Sequence, residues 1–196
     1  MNDDYKWPEK GEHLFKSDMD WWLNACVNDF GNKDYLYIEG YVEAANIISK
    51  HVIDHDRMLY ILIYPLIFLY RHSIELGLKR ILNKGGNLFN QEVSIKMTHR
   101  LDNLWITAKG IILKIQPSIE KKELDAMGDL VMEFMEYDPT STTFRYSTTK
   151  DGIAINTGLE VVNVRNLSKV MEGIFNFISG TNALIDDLNS NRGDQI

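Results

Sequence analysis

The sequence predicts an all-α, up-and-down bundle of about five to six helices, with a short β-hairpin or extended excursion near residues 142–157. Two observations predict it. Apolar residues recur at helical spacings in segment after segment, separated by polar or proline-bearing breaks. Only one stretch, FRYSTTKDGIAIN, combines β-branched and aromatic residues around an Asp-Gly turn. No internal repeat or low-complexity segment competes with a bundle.

Residues 1–17 read as a polar tail with Pro8 and Gly11, and Asp18 to Asn28 (DMDWWLNACVN) as a short first helix closed by the turn at Asn28 to Lys33. Tyr35 to Ile53 spaces Ile38, Tyr41, Val42, Ala45, Ile48 and Val52 as a second helix, ending near Asp54–Asp56. Met58 to Asn83 is the central helix, kinked by Pro65 and stopped by Gly85–Gly86. Beyond a polar loop, Leu101, Leu104, Trp105, Ala108, Ile111 and Ile112 mark a fourth, with Thr98 as its N-cap. Pro117–Ser118 breaks the chain, and Ser118 to Tyr137 resumes with Leu124, Met127, Leu130, Val131, Phe134 and Met135 up to Asp138-Pro139. Leu159 to Leu188 is a long last helix with an interruption at Gly180. The expected organisation is a tail over 1–17, one helical domain over 18–188 and a disordered tail over 189–196.

With 196 residues, 44% hydrophobic and 25% charged, the chain can bury a core as a single domain. Its net charge of −7 argues against coating nucleic acid by bulk electrostatics. The charge is uneven: residues 1–50 and 111–196 each carry −5, while residues 51–110 carry +3, so a local anion site belongs in the middle third. One cysteine, Cys26, excludes an internal disulfide framework and is expected as a small core residue. The acidic start has no apolar h-region, which predicts a cytoplasmic protein. The thirteen-residue run from Met58 to Tyr70 is too short to span a bilayer and predicts a buried helix with no membrane partner.

Arg71, Glu75 and Lys79 follow that run at spacings of four and share an arc with His72, flanked by the Ile74, Leu78, Ile81 stripe. The row is expected at the edge of a core. His99 opens the fourth helix, and Asp138 to Tyr146 (DPTSTTFRY) sets Arg145 between two aromatics. A bundle can bring these segments to one cleft. Arg71, His72, Glu75, Lys79, His99, Asp138 and Arg145 are therefore the candidate ligand-binding residues, with His99 the candidate proton shuttle. The same charges can instead form a buried ion-pair network, with Arg71 and Glu75 pairing within one helix.

Other motifs carry less. His51 and His55 have the spacing of a metal pair, but the glutamate of H-E-x-x-H and a third ligand are missing, so no metal site and no cofactor is expected. Trp21–Trp22, with Tyr35 and Tyr37, can stack bases or fill a core; the core is the commoner use. G-x-S-x-G, Walker A and dinucleotide signatures are absent.

Taken in order, FLYRHSIELGLKRIL, HRLDNLW and DPTSTTFRY resemble the HEPN superfamily of small prokaryotic helical domains, most of all its uncharacterised defence-associated branches, over roughly residues 57 to 180. The resemblance implies a four- to five-helix bundle, homodimerisation, and a role linked to RNA cleavage in toxin–antitoxin, phage-defence or CRISPR-linked systems. Its ribonuclease members carry an arginine followed, after four to six residues, by a histidine. Here Arg165-Asn166 begins that pattern, but Val170, Met171 and Glu172 stand where the histidine belongs. The catalytic pair is not carried over. The expectation is a HEPN-like module that binds an anionic ligand (RNA or a nucleotide) or a protein partner; the alternatives are a metal-independent RNA endonuclease and a purely structural or partner-binding protein.

Overall fold

The computed structural model describes residues 6–27, 31, 33–55, 58–90 and 98–193. Two compact units are present, Met1–Lys33 and Asp34–Ile196.

In the first unit the only helical turn among the described residues is a single 3-10 turn, Trp21–Leu23, in place of the expected Asp18 to Asn28 helix. Asn24 is the reason: its Oδ1 accepts the Asp18 N–H at 3.1 Å and its Nδ2 donates to the Asp18 carbonyl at 2.8 Å, closing a polar loop that competes with helix. No apolar face here is buried, and a helix this short is unstable without packing. Trp21 and Trp22 meet edge to face at 6.1 Å but stay exposed, and Cys26 is exposed too. The expected core roles of all three are corrected.

The second unit is all helical: α1 (Lys33–His55, whose first residue closes the preceding unit), α2 (Leu59–Leu88), α3 (Leu101–Ile115), α4 (Lys121–Tyr137) and α5 (Val164–Gly193). Helix α2 is the spine, packing on α5 and α3, and α3 packs on α4. Its Leu66, Tyr70, Ile74, Leu78 and Ile81 are sealed, meeting Ala45 and Val52 of α1, Ala108 and Ile112 of α3, Val131 of α4, and Met171, Ile178 and Ile185 of α5. That one cluster is the core. Each fully buried side chain of this size contributes about 1.5–3 kcal/mol, so the apolar stripes rather than helix propensity hold the bundle.

Several boundaries differ from expectation, each for a visible reason. Helix α2 runs through Gly85–Gly86 to Leu88, and Gly85 is a contact point rather than a stop. A Cβ on Gly85 would overlap Ile111 Cγ2 of α3, and one on Gly77 would lie 2.6 Å from Ile178 Cγ2 of α5. Helix α5 starts at Val164, where Asn163 Oδ1 accepts the Asn166 N–H at 2.9 Å as an N-cap, and it passes Gly180 unbroken. It also continues through 189–193, part of the expected disordered tail, tied down by Asn189 Nδ2 donating to the Lys84 carbonyl and Arg192 Nη1 to the Leu88 carbonyl. Residues 194–196 lie outside the described residues.

Arg100, not Thr98, occupies the N-cap of α3, and Thr98 Oγ1 instead accepts the Arg100 N–H at 3.1 Å. The excursion near 142–157 forms no strand among the described residues; its β character is one antiparallel bridge, Thr148 to Ala154, turning at Gly152 with φ +78°. At 30 residues, α2 is the one helix among the described residues long and apolar enough to cross a bilayer, longer than the thirteen-residue run suggested. Half of the qualifying window is buried inside the fold.

Candidate functional site

The charged row on α2 sits deeper than the edge of a core. Arg71 is 0% exposed and Glu75 1%, so both must be fully partnered. Arg71 divides its donors among three chain segments. Its Nη1 donates to Glu75 Oε2 at 3.1 Å, its Nη2 to the His99 carbonyl at 2.7 Å, and its Nε to the Asp138 carbonyl at 3.2 Å. The Asp138 carboxylate lies alongside, Oδ2 being 3.2 Å from Nε without hydrogen-bond geometry. One guanidinium thus joins α2 to the entrance of α3 and the exit of α4.

Glu75 carries the row outward. While Oε2 faces Arg71, Oε1 accepts from Lys79 Nζ at 2.7 Å and meets His99 Nδ1 at 2.9 Å. Lys79 is 24% exposed and the His99 side chain 64%. A sealed carboxylate therefore holds two surface groups side by side. With Nδ1 committed to Glu75, His99 Nε2 has no protein partner among the described residues.

Asp138 shapes the next wall. Its Oδ1 accepts the backbone N–H groups of Thr142 at 2.8 Å and Thr143 at 3.0 Å, folding DPTSTTFRY back on the end of α4. Ser141, buried at φ +62°, is the strained residue of this turn. The fold tucks Phe144 inside and turns Arg145 and Tyr146 out. The Arg145 guanidinium lies 5.5 Å from the Phe68 ring and 5.1 Å from the Tyr146 ring. Phe68 stacks on His72 at 5.6 Å, and Tyr41 meets His72 edge-on at 4.6 Å.

Electrostatics follow burial. Desolvation drives the Arg71 guanidinium below its ordinary value, opposed by Asp138 and Glu75, and it stays charged. Burial pushes the Glu75 carboxyl up, but hydrogen bonds from Lys79 and His99 outweigh it and leave the group below 4.5. His72 is lowered from 6.5, mainly by burial, with Lys79, Arg71 and Arg145 adding to the effect and Glu75 opposing it. The fold thus favours the neutral imidazole.

The structure brings Arg71, Glu75, Lys79, His99 and Asp138 into direct contact and sets His72 and Arg145 beside them through Phe68. Sequence reasoning missed the main-chain oxygens of His99 and Asp138, for which no side-chain signal exists. It also missed Phe68 and Tyr41 as ring partners; the four-residue step from Phe68 to His72 could have shown the first. His51 and His55 stack at 4.7 Å on the surface, with His55 Nδ1 bonded to the His51 carbonyl at 3.0 Å. Among the described residues no three His, Cys, Asp or Glu groups converge to hold a metal. No family model, curated protein or solved structure matches the chain.

Proposed function

We propose that this chain is a HEPN-like helical module whose half-buried Lys79 and exposed His99 and Arg145 bind an anionic, phosphate-bearing ligand, RNA or a nucleotide. One observation carries the reading: the sealed Glu75 carboxylate pins Lys79 and His99 together at the surface, with the charge of Arg71 already committed beneath them. Arg145, within electrostatic range of Arg71 and His72, adds a guanidinium laid on aromatic rings, a surface on which a base can stack beside a bound phosphate. Arg71, Glu75 and Asp138 are scaffold in this reading, not ligand contacts.

The sequence resemblance supplies the setting proposed with it: a cytoplasmic protein of a bacterial defence or toxin–antitoxin system. It acts as a homodimer or with a protein partner. Exposed Tyr60, Ile61 and Tyr64 on α2 offer an apolar face for such an association.

Fluorescence anisotropy with a short single-stranded RNA, competed by free nucleotide, tests the binding. Arg145→Ala and Lys79→Ala should each weaken it about 3- to 10-fold, the effect of losing one charge-assisted contact. Absence of binding to either probe, or variants that bind like the parent, overturns the proposal. The bond from His99 Nδ1 to Glu75, which leaves Nε2 open, favours a second reading as an RNA endonuclease with His99 as acid and base. Cleavage abolished by His99→Ala supports that reading; equal or absent cleavage in both proteins removes it.

A further inference from the structure

The Met1–Lys33 unit carries its large apolar side chains on the outside. Phe15, Met19, Trp21, Trp22, Leu23 and Val27 are each 66–99% exposed. So many large apolar groups exposed in one short segment mark an interaction surface. We propose that the segment from Phe15 to Val27 pairs with the same segment of a second copy of the chain. That assignment rests on the homodimer proposed above and gives it a surface.

The segment is held in a shape that keeps those side chains out. The Asn24 side chain clasps the main chain of Asp18, and Asp18 Oδ1 accepts the Met19 N–H at 2.7 Å. The Asp20 carbonyl accepts the Leu23 N–H at 2.8 Å, and the Trp21 carbonyl the Asn24 N–H at 3.1 Å. The turn is therefore bonded within residues 18–24, while Met19, Trp21, Trp22 and Leu23 face solvent. A surface fixed in this way loses little conformational freedom when it is covered.

A unit of this length cannot enclose a core by itself. Below about 40 residues a disulfide, a metal or association has to supply what the core lacks. Cys26 is the one cysteine of the chain, and among the described residues no cluster of His, Cys, Asp and Glu can hold a metal. Association remains.

Area and charge both fit a second copy. Phe15, Trp21 and Trp22 together offer about 500 Å². Met19, Leu23 and Val27 bring the apolar area close to the ~800 Å² per partner that a stable dimer buries. Lys16 and Asp20 are exposed in the same segment and form no ion pair among the described residues. In a two-fold contact, Lys16 of each copy can meet Asp20 of the other, because such an interface pairs the same two positions twice. One segment thus supplies both halves of two salt bridges. A bilayer would take the apolar side chains and leave those matched charges unused.

Sedimentation equilibrium of the full chain tests the surface. The expected result is a monomer–dimer equilibrium whose dissociation constant rises about 30-fold or more in Trp21→Ser with Trp22→Ser, the loss of two anchors. Lys16→Glu or Asp20→Lys alone should weaken the dimer about 3- to 10-fold, and the two together should restore it. Tyr60→Ser with Tyr64→Ser, on the exposed face of α2, should leave the constant within about twofold. Circular dichroism checks that every variant is folded. A parent that stays monomeric overturns this surface and the homodimer together. A dimer lost through the α2 pair but not through the tryptophans, or a charge swap that fails to restore association, overturns the surface alone. A monomer whose tryptophan emission shifts to the blue on neutral phosphatidylcholine vesicles gives the segment to a membrane and overturns the second copy as its occupant.

Discussion

Two arginines on α2, about two and a half turns apart, meet their acids in opposite ways. Arg71 and its acids, Glu75 and Asp138, are at most 1% exposed, and the guanidinium also donates to two main-chain carbonyls. Arg80 is buried as well, but its acid Asp186 is 37% exposed and shared with Lys84. The Arg80 contact is the shorter, 2.6 Å against 3.1 Å. Distance nevertheless ranks the two wrongly. What matters is what removing a partner leaves behind: two sealed carboxylates in the first case, a group already touching water in the second.

The largest test of this contrast is Arg71→Met. With Glu75 and Asp138 stranded, urea unfolding should show a loss of about 3–5 kcal/mol. Adding Glu75→Leu should recover part of it, since one of the stranded charges is gone; a single-variant cost below about 1 kcal/mol would erase the distinction between the regions.

Acid comes next. Glu75 is held below 4.5 in the fold, so its contribution is fully present above that value and disappears as pH falls through the lower folded value. Asp186 is also lowered, burial opposing and Arg80 and Lys84 prevailing, but solvent screens it. Unfolding midpoints followed below pH 4.5 should lose more of their acid slope in Glu75→Gln than in Asp186→Asn. At neutral pH, Arg80→Met, which leaves Asp186 with Lys84 and water, should cost about 1 kcal/mol or less, shrinking further in high salt.

The smallest effect belongs to His72, which titrates where neither acid does. Its folded value lies below 6.5, so the fold favours the neutral ring; that stability is complete above pH 6.5 and declines as pH falls through 6.5 toward the folded value. His72→Phe should flatten the pH dependence of stability in that window. A parent protein already flat there would show that Glu75 offsets burial completely.

How much of this was legible depended on whether partners lie within a few residues. Arg71, Glu75 and Lys79 are spaced by one helical turn, so their mutual pairing could be read directly, as could the apolar stripes that make five helices. Their depth could not. It follows from α3 and the loop after α4 closing over α2, and the closing groups are carbonyl oxygens that every residue has. Gly85 illustrates the same limit: a helix stop and a tight helix crossing both call for glycine, and only the position of Ile111 decides between them. At the C-terminal end, Asn189 and Arg192 look like tail residues until Lys84 and Leu88 supply the carbonyls they bind.

The partners of Arg71 lie 4, 28 and 67 positions along the chain. The first contact can form as soon as α2 does, while the last must wait until α3 and α4 have folded and docked. A guanidinium completed in that order should act as a late-closing latch, formed after the rate-limiting barrier; unfolding and refolding rates of Arg71→Met measure this. Its loss should accelerate unfolding and leave the folding rate nearly unchanged, so Arg71 governs how long the bundle persists rather than how fast it assembles.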